Sequence, residues 1–408
     1  MLKAQVGKLG EEVFLTDALY PPCLWLESVH PADSGRRSSR SGFCENCFWL
    51  EPERHLQQGI QVGMDSLVTP FKEAPMSLKK LFLSTLALLL LLSTPALAAQ
   101  TFKVAVGDPE DSEQGVVVNA FKQYLEEKSK GAIKVDCFFG GSLGDESETL
   151  RNVQKGTLPF AVAGIANLVP FEKRLGLLTL PYLFDDLDEV VAGTNGKPAE
   201  LLNSYAIKAG FRVLTWTYTD FRYISNSNHP IKKMADMKDL KFRVPQSAVL
   251  IAAYKAFGGS PTPISWAETF TALQQGVVDG QCYGYIGFKA MKFNEANQKY
   301  LTEVHYTYQL QPLVMSERVY RKMKPEVQKL VVEAGKYAQE VVLKYQKENG
   351  EAAKKDLIAA GLVVDQLEDE ALWKKAAMEK VWPEMADFVG GKDAINAYLK
   401  PAGKPEWK

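Results

Sequence analysis

The chain has 408 residues, with 48 Lys+Arg against 49 Asp+Glu and a formal net charge of −1. That balance argues against a general nucleic-acid binder, which carries a basic face and an excess of positive residues. Hydrophobic residues make up 46% and charged residues 24%, a mix that excludes disorder throughout and a polytopic membrane protein, while five cysteines are too few for a disulfide scaffold.

Residues 1–75 carry no sustained hydrophobic period of 3.6 or 2, and Ser34–Gly42 is low in complexity. The Cys44-Glu-Asn-Cys47 pair lacks a second pair at zinc-site spacing, so chance cysteines explain it better than metal or redox chemistry. Residues 76–98 hold three parts in order: Lys79-Lys80, an apolar run from Leu81 to Leu92, and Ala96-Leu97-Ala98. This is the pattern of a cleavable secretory signal. The run is short of the ~20 residues a bilayer span needs. Met76 therefore reads as the true start and 1–75 as a leader that is not native. Peptide mapping of the secreted protein is expected to find Ala99 or Gln100 at its N-terminus.

Removing the first 98 residues takes away 9 basic and 10 acidic residues and leaves 39 of each. Only Cys137 and Cys282 remain, and they read as free, buried thiols.

The remaining chain alternates short apolar runs with helical patterns. A strand over Thr101–Val106, a helix over Gly115–Lys130, a strand over Gly131–Phe139, a helix over Glu146–Lys155 and a strand over Phe160–Ala163 predict a mostly parallel, helix-covered sheet. A second series begins with a strand near Arg222–Ser225. It continues with a strand at Lys241–Val244, helices at Ala248–Phe257 and Trp266–Gln275, and a strand at Val278–Cys282. Two such units predict an α/β fold in two lobes. From Pro325 to Ala360 no proline interrupts a helical pattern. At ~1.5 Å per residue such a helix is roughly 50 Å long, which exceeds one lobe. Trp373–Tyr398 reads as further helix.

No H-E-x-x-H or G-x-x-x-x-G-K-[ST] motif occurs after residue 98, and the G-x-S-x-G spacing is met at Gly140–Gly144. Gly140-Gly-Ser-Leu-Gly144 lacks the lysine of a phosphate loop. Two histidines, His229 and His305, and two dispersed cysteines make a poor zinc site. A two-lobed exported protein with no visible nucleophile–base pair suits binding of a small molecule between its lobes. Arg222 and Arg243 fall at predicted strands. Each is either a solvated edge residue or an anchor in a cleft. As an anchor, the planar two-point fork of arginine fits a carboxylate.

Several segments together carry a family resemblance. They are Glu127-Lys-Ser-Lys-Gly131 with Ile133-Lys-Val135, Gly141-Ser-Leu-Gly-Asp-Glu146, Leu180-Pro-Tyr-Leu-Phe184, Asp239-Leu-Lys-Phe-Arg-Val-Pro245, Pro261-Thr-Pro-Ile-Ser-Trp-Ala-Glu268 and Ala272-Leu-Gln-Gln-Gly-Val-Val-Asp-Gly-Gln281. With them, residues 101–365 resemble the solute-binding subunits of tripartite ATP-independent periplasmic (TRAP) transporters.

The resemblance implies a two-lobed periplasmic-binding-protein fold with one long helix across both lobes. Lobe I would hold 99–220 and 308–347, and lobe II 221–307 and 348–408. It implies a periplasmic monomer that captures an organic acid and delivers it to a small and a large membrane subunit. No enzyme activity, cofactor, metal or nucleic acid is implied. Arg243 would pair with the ligand carboxylate and Arg222 would be a second cleft arginine. Trp266 would lie flat on the ligand or serve as a core residue. Glu146 would accept from a ligand hydroxyl or merely complement a helix start, and Gly107 and Gly164 would line the pocket.

One position departs from the family pattern. Where the family often has Glu-Asn-Pro after Val-Asp-Gly-Gln, this chain has Cys282-Tyr283-Gly284. Tyr283 replaces a small amide with a large ring, which favours a smaller, flatter or more apolar acid. A sensory receptor feeding a kinase is the alternative from another class. A secreted enzyme is disfavoured, since no nucleophile–base pair is visible.

Overall fold

The computed structural model describes residues 99–408. The leader over 1–75 and the signal over 76–98 lie outside the described residues.

The strands, in chain order, are β1 (Gln100–Val106), β2 (Ile133–Phe138), β3 (Phe160–Val162), β4 (Phe211–Thr215), β5 (Tyr218–Phe221), β6 (Ile224–Asn226), β7 (Lys241–Val244), β8 (Ser260–Pro263), β9 (Gly280–Cys282), β10 (Tyr300–Glu303), β11 (Tyr308–Leu310), β12 (Leu313–Ser316) and β13 (Val363–Gln366). They form a five-stranded sheet β2-β1-β3-β12-β4, a six-stranded sheet β13-β10-β6-β9-β7-β8, and a two-stranded pair β11-β5. The large sheets are the cores of two lobes. The β5-β11 pair lies where the chain passes between them.

β1 pairs in parallel with both β2 and β3, as the predicted strand–helix alternation requires. β12 returns antiparallel between β3 and β4. In the second lobe β7 runs parallel to β8 and β9. Parallel pairing brings the carboxyl ends of several strands to one edge, and that edge faces the other lobe.

The helices begin where their caps dictate. Ser112 accepts the Gly115 N–H ahead of the helix Glu113–Lys128, and Asp145 accepts the Ser147 N–H ahead of Glu146–Lys155. Gly156, at φ 82°, ends the second helix, a backbone geometry that favours glycine. In the first lobe Phe160 is fully buried between Phe102 and Phe121, with edge-to-face ring distances of 5.4 and 5.2 Å. In the second lobe Trp373 packs 4.6 Å from Phe257.

The long helix spans Pro325–Ala359 without interruption, 35 residues. It packs along the helix Glu113–Lys128 of the first lobe and the helix Tyr285–Ala290 of the second. Among the described residues no helix is long and apolar enough to cross a membrane.

Three expectations need correction. Arg222 and Tyr223 are not in a strand but form the link between β5 and β6, because β6 starts at the first residue that can pair with both β9 and β10. Cys137 is half-buried, although both thiols are free. The C-terminal segment does not stay with the second lobe throughout 348–408. The Trp382 indole N–H donates to the Pro181 carbonyl (2.9 Å) and the Tyr398 hydroxyl to the Gly193 carbonyl (2.9 Å). Lys404 pairs with Glu189 (2.5 Å). The further helix read over 373–398 is made of several pieces, the last of them Gly391–Leu399.

Candidate functional site

A cavity between the lobes is lined by Glu146, Gly164, Asn167, Arg222, Arg243, Pro245, Trp266, Tyr283, Gln309 and Gln311, among others. Its builders sit at strand ends. The Gly107-Asp108 pair follows β1, Gly164 follows β3, Arg243 lies on β7, Trp266 opens the helix after β8, and Tyr283 follows β9. The space open to the centre of a water molecule is only about 20 Å³, about the minimum that holds one water.

Two guanidiniums face this cavity. Arg243 is buried, and its Nε–H donates to the Ile264 carbonyl at 3.0 Å. Its guanidinium carbon lies 5.2 Å from the Trp266 ring centre. Burial, and then Arg222, bring its pKa down to about 10, so it stays charged at neutral pH. Arg222 is also buried and donates to the carbonyl (3.3 Å) and sulfur (3.1 Å) of Cys282. Burial disfavours the charge on Arg222 and the thiolate of Cys282 alike. Arg222 nonetheless stays charged and draws the thiol down from its ordinary value.

The arginine ion pairs among the described residues involve Arg174, Arg212 and Arg321; Arg222 and Arg243 have no carboxylate partner. A buried charge without a counter-charge is costly. The solvated-edge reading of Arg243 is therefore excluded by its burial.

The carboxylates of the site are otherwise engaged. Glu146 Oε2 accepts from the Gly164 N–H (3.0 Å) and the Asn167 amide (2.5 Å), and Oε1 from Gln114 (3.4 Å). Burial raises its pKa, with the Asn167 and Gly164 hydrogen bonds opposing. Asp108 is fully buried, accepting the Trp266 indole N–H (2.8 Å) and the Tyr283 hydroxyl (2.6 Å). Burial pushes it up to about 7 against the pull of the Tyr283 hydrogen bond. The Tyr283 hydroxyl also accepts from Gln311 at 2.7 Å. The Trp266 and Tyr283 rings stack at 5.1 Å and 20°. A side chain at Gly287 would overlap the Tyr283 ring, so this glycine makes the seat for it.

The structure thus brings Arg222, Arg243, Trp266, Tyr283, Glu146 and Gly164 to one cavity. Gly107 stands behind it. Its N–H is taken by Gln114 (3.0 Å), and a Cβ there would fall 2.8 Å from Glu146 Oε1 and 3.3 Å from Trp266. Asp108, Asn167, Gln309 and Gln311 were not singled out from the sequence. The run Tyr308-Gln-Leu-Gln311 alternates polar and apolar residues in an otherwise buried strand, a legible sign of a polar face. The Oε1 atoms of Gln309 and Gln311 are buried without partners.

A groove of about 810 Å³ on the first lobe is much larger. It is rimmed by exposed lysines such as Lys128 and Lys322, and no buried, unpartnered polar atom belongs to its lining residues. The charged chemistry converges on the small interlobe cavity.

Residues 104–387 match the bacterial extracellular solute-binding protein, family 7. The chain belongs to this family. A solute-binding protein of Verminephrobacter eiseniae is 34% identical over 279 residues, 68% of this chain and 82% of the relative. A TRAP periplasmic solute-binding protein from Polaromonas sp. JS666, solved with D-erythronate, superposes with a TM-score of 0.69 at 30% identity, covering 73% of this chain and 98% of the other. One from Sulfurospirillum deleyianum, solved with succinate, gives 0.69 at 27% identity over 74% and 98%. As a family 7 member the chain is a solute-binding component of transport rather than an enzyme, and the two-lobed α/β fold is that of its solved neighbours.

Proposed function

We propose that this protein is the periplasmic receptor of a TRAP transporter. It captures an organic acid between its lobes and delivers it to the small and large membrane subunits. The observation that carries this reading is the pair of buried guanidiniums, Arg222 and Arg243, which share one cavity and have no carboxylate partner among the described residues. A ligand carboxylate would supply the missing counter-charge, and the bidentate fork would make Arg243 the orienting contact. The solved relatives named above hold D-erythronate and succinate, both small carboxylic acids.

The ligand sits between lobe I, built on the β1-containing sheet, and lobe II, built on the β7-containing sheet. Glu146 and Asn167 would meet ligand hydroxyls. Trp266 and Tyr283 form the apolar wall. A cavity this small has no room for an organic acid unless the lobes part, so capture requires a hinge motion at the linking strands. The Tyr283 ring narrows the space further and favours a short, flat acid over a bulky sugar acid.

Native mass spectrometry of freshly purified protein tests the reading. A co-purified small carboxylate is the expected result. Competition calorimetry with keto acids, aromatic acids, succinate and D-erythronate then ranks the classes. Tight binding of a bulky sugar acid alone would refute the size argument.

A further inference from the structure

We infer that Asp108 is a positioning residue that latches the two lobes together, and that the latch is set by a proton on its carboxyl. The loop after β1 carries Asp108 into the interface, where both of its oxygens are used. One accepts the Trp266 indole N–H at 2.8 Å and the other the Tyr283 hydroxyl at 2.6 Å, partners 158 and 175 residues away on the opposite lobe. Gln311 steadies the Tyr283 hydroxyl at 2.7 Å, and stacking on Trp266 fixes the Tyr283 ring. Parting the lobes must break both bonds and return the carboxyl to water.

The surroundings give Asp108 no counter-charge. Glu146 faces it from the helix Glu146–Lys155, and Glu113 faces it from the helix Glu113–Lys128. Both are acids. Gln114 and Gln311 are neutral, and Tyr283 is pushed well above its ordinary value. Arg243 is held at the Trp266 ring, and Arg222 is engaged with Cys282. An ionised Asp108 therefore gains hydrogen bonds but no ion pair.

The sign follows from the two environments. In the closed arrangement burial lifts Asp108 to about 7. In an opened cleft it returns to the usual carboxylate range, about 3.9. The closed form thus holds the proton more tightly. Between these values closing takes up one proton, and closure strengthens by up to about tenfold for each pH unit lost. Above about 7 both forms are ionised, and the dependence ends.

The test does not depend on which acid binds. Small-angle X-ray scattering of the purified protein at pH 8, 7, 6 and 5 reports the opening of the cleft. The wild type is expected to contract as pH falls below 7. Asp108→Asn, which keeps the shape and removes this titration, is expected to contract less than the wild type over the same range. A second variant, Tyr283→Phe, removes one bond but keeps the carboxyl, so it should remain pH-dependent while opening more at every pH. A wild type of constant dimension over this range would overturn the inference, and so would an Asp108→Asn protein that contracts in the same way. Failure of succinate and D-erythronate to bind would count against the ligand reading and leave the latch standing.

Discussion

The two walls of the cleft solve opposite electrostatic problems. The first lobe brings acids, Asp108, Glu113 and Glu146, all buried and all raised above their ordinary range chiefly by desolvation. The second brings Arg222 and Arg243, buried and still charged. A carboxyl can escape the cost of burial by taking a proton, but a guanidinium cannot. The acids therefore settle into hydrogen bonds or neutrality, and the arginines keep a charge that the protein leaves unmatched. The near-zero net charge agrees with this division, since the attraction for an anion resides in two placed groups and not in a global field.

The largest expected effect falls on the arginine wall. Arg243→Ala removes a forked contact in which each charge-assisted hydrogen bond contributes ~1.5–3 kcal/mol, so affinity for the native acid should fall by roughly 100-fold or more. Ligand-induced thermal stabilisation should vanish while the ligand-free protein still melts cooperatively. Unchanged binding would break the comparison at its centre.

The acid wall should instead report on pH. Both oxygens of Glu113 are buried without partners, and burial raises its pKa from 4.5 to about 8. Because the folded value is the higher one, its contribution to stability is full below the ordinary value and is lost as pH rises through about 8. The loss is about 1.4 kcal/mol per pH unit within that window. Glu113→Gln should flatten the fall in urea midpoint between pH 5 and pH 8. Parallel curves for the two proteins would show that the acid is not paying this cost.

Between the walls, Trp266→Phe keeps a ring for stacking but deletes one donor to Asp108. A buried acceptor stripped of a partner costs about 1–3 kcal/mol, which predicts affinity weaker by about 5- to 100-fold, visible in calorimetry as a raised Kd with Arg243 intact. The smallest effects separate two glycines. A Cβ at Gly164 meets Glu146 Oε2 at an ordinary 3.7 Å, whereas one at Gly107 meets Oε1 at 2.8 Å. Gly164→Ala should change affinity by less than about threefold, and Gly107→Ala by more, through displacement of Glu146.

Much of the fold could be read in advance because its strands and helices follow local rules. The helix Glu146–Lys155 has a capping aspartate and a terminal glycine, and Pro325 opens the long helix. The arginines were visible as residues, and the family pattern supplied their expected role. Asp108 was not visible, since a strand-end aspartate resembles any turn residue until the opposite lobe puts an indole and a phenol against it. The C-terminal return to Pro181 and Gly193 was hidden for the same reason. Helical periodicity records that a face is buried but not which surface buries it.

The long helix has a mechanical consequence. Its first half is anchored to the first lobe, where a Cβ at Gly335 would collide with the Leu214 carbonyl. Its second half is tied to the other lobe by Lys354–Glu303 (2.7 Å) and Lys289–Asp356 (2.5 Å). A beam clamped at both ends cannot let the lobes part without flexing. At ~1.5 Å per residue, a bend of about 10° at its midpoint would swing either end by roughly 4–5 Å. Events in a cavity the size of a water molecule are thereby written, with mechanical gain, as curvature on the outer surface of the protein.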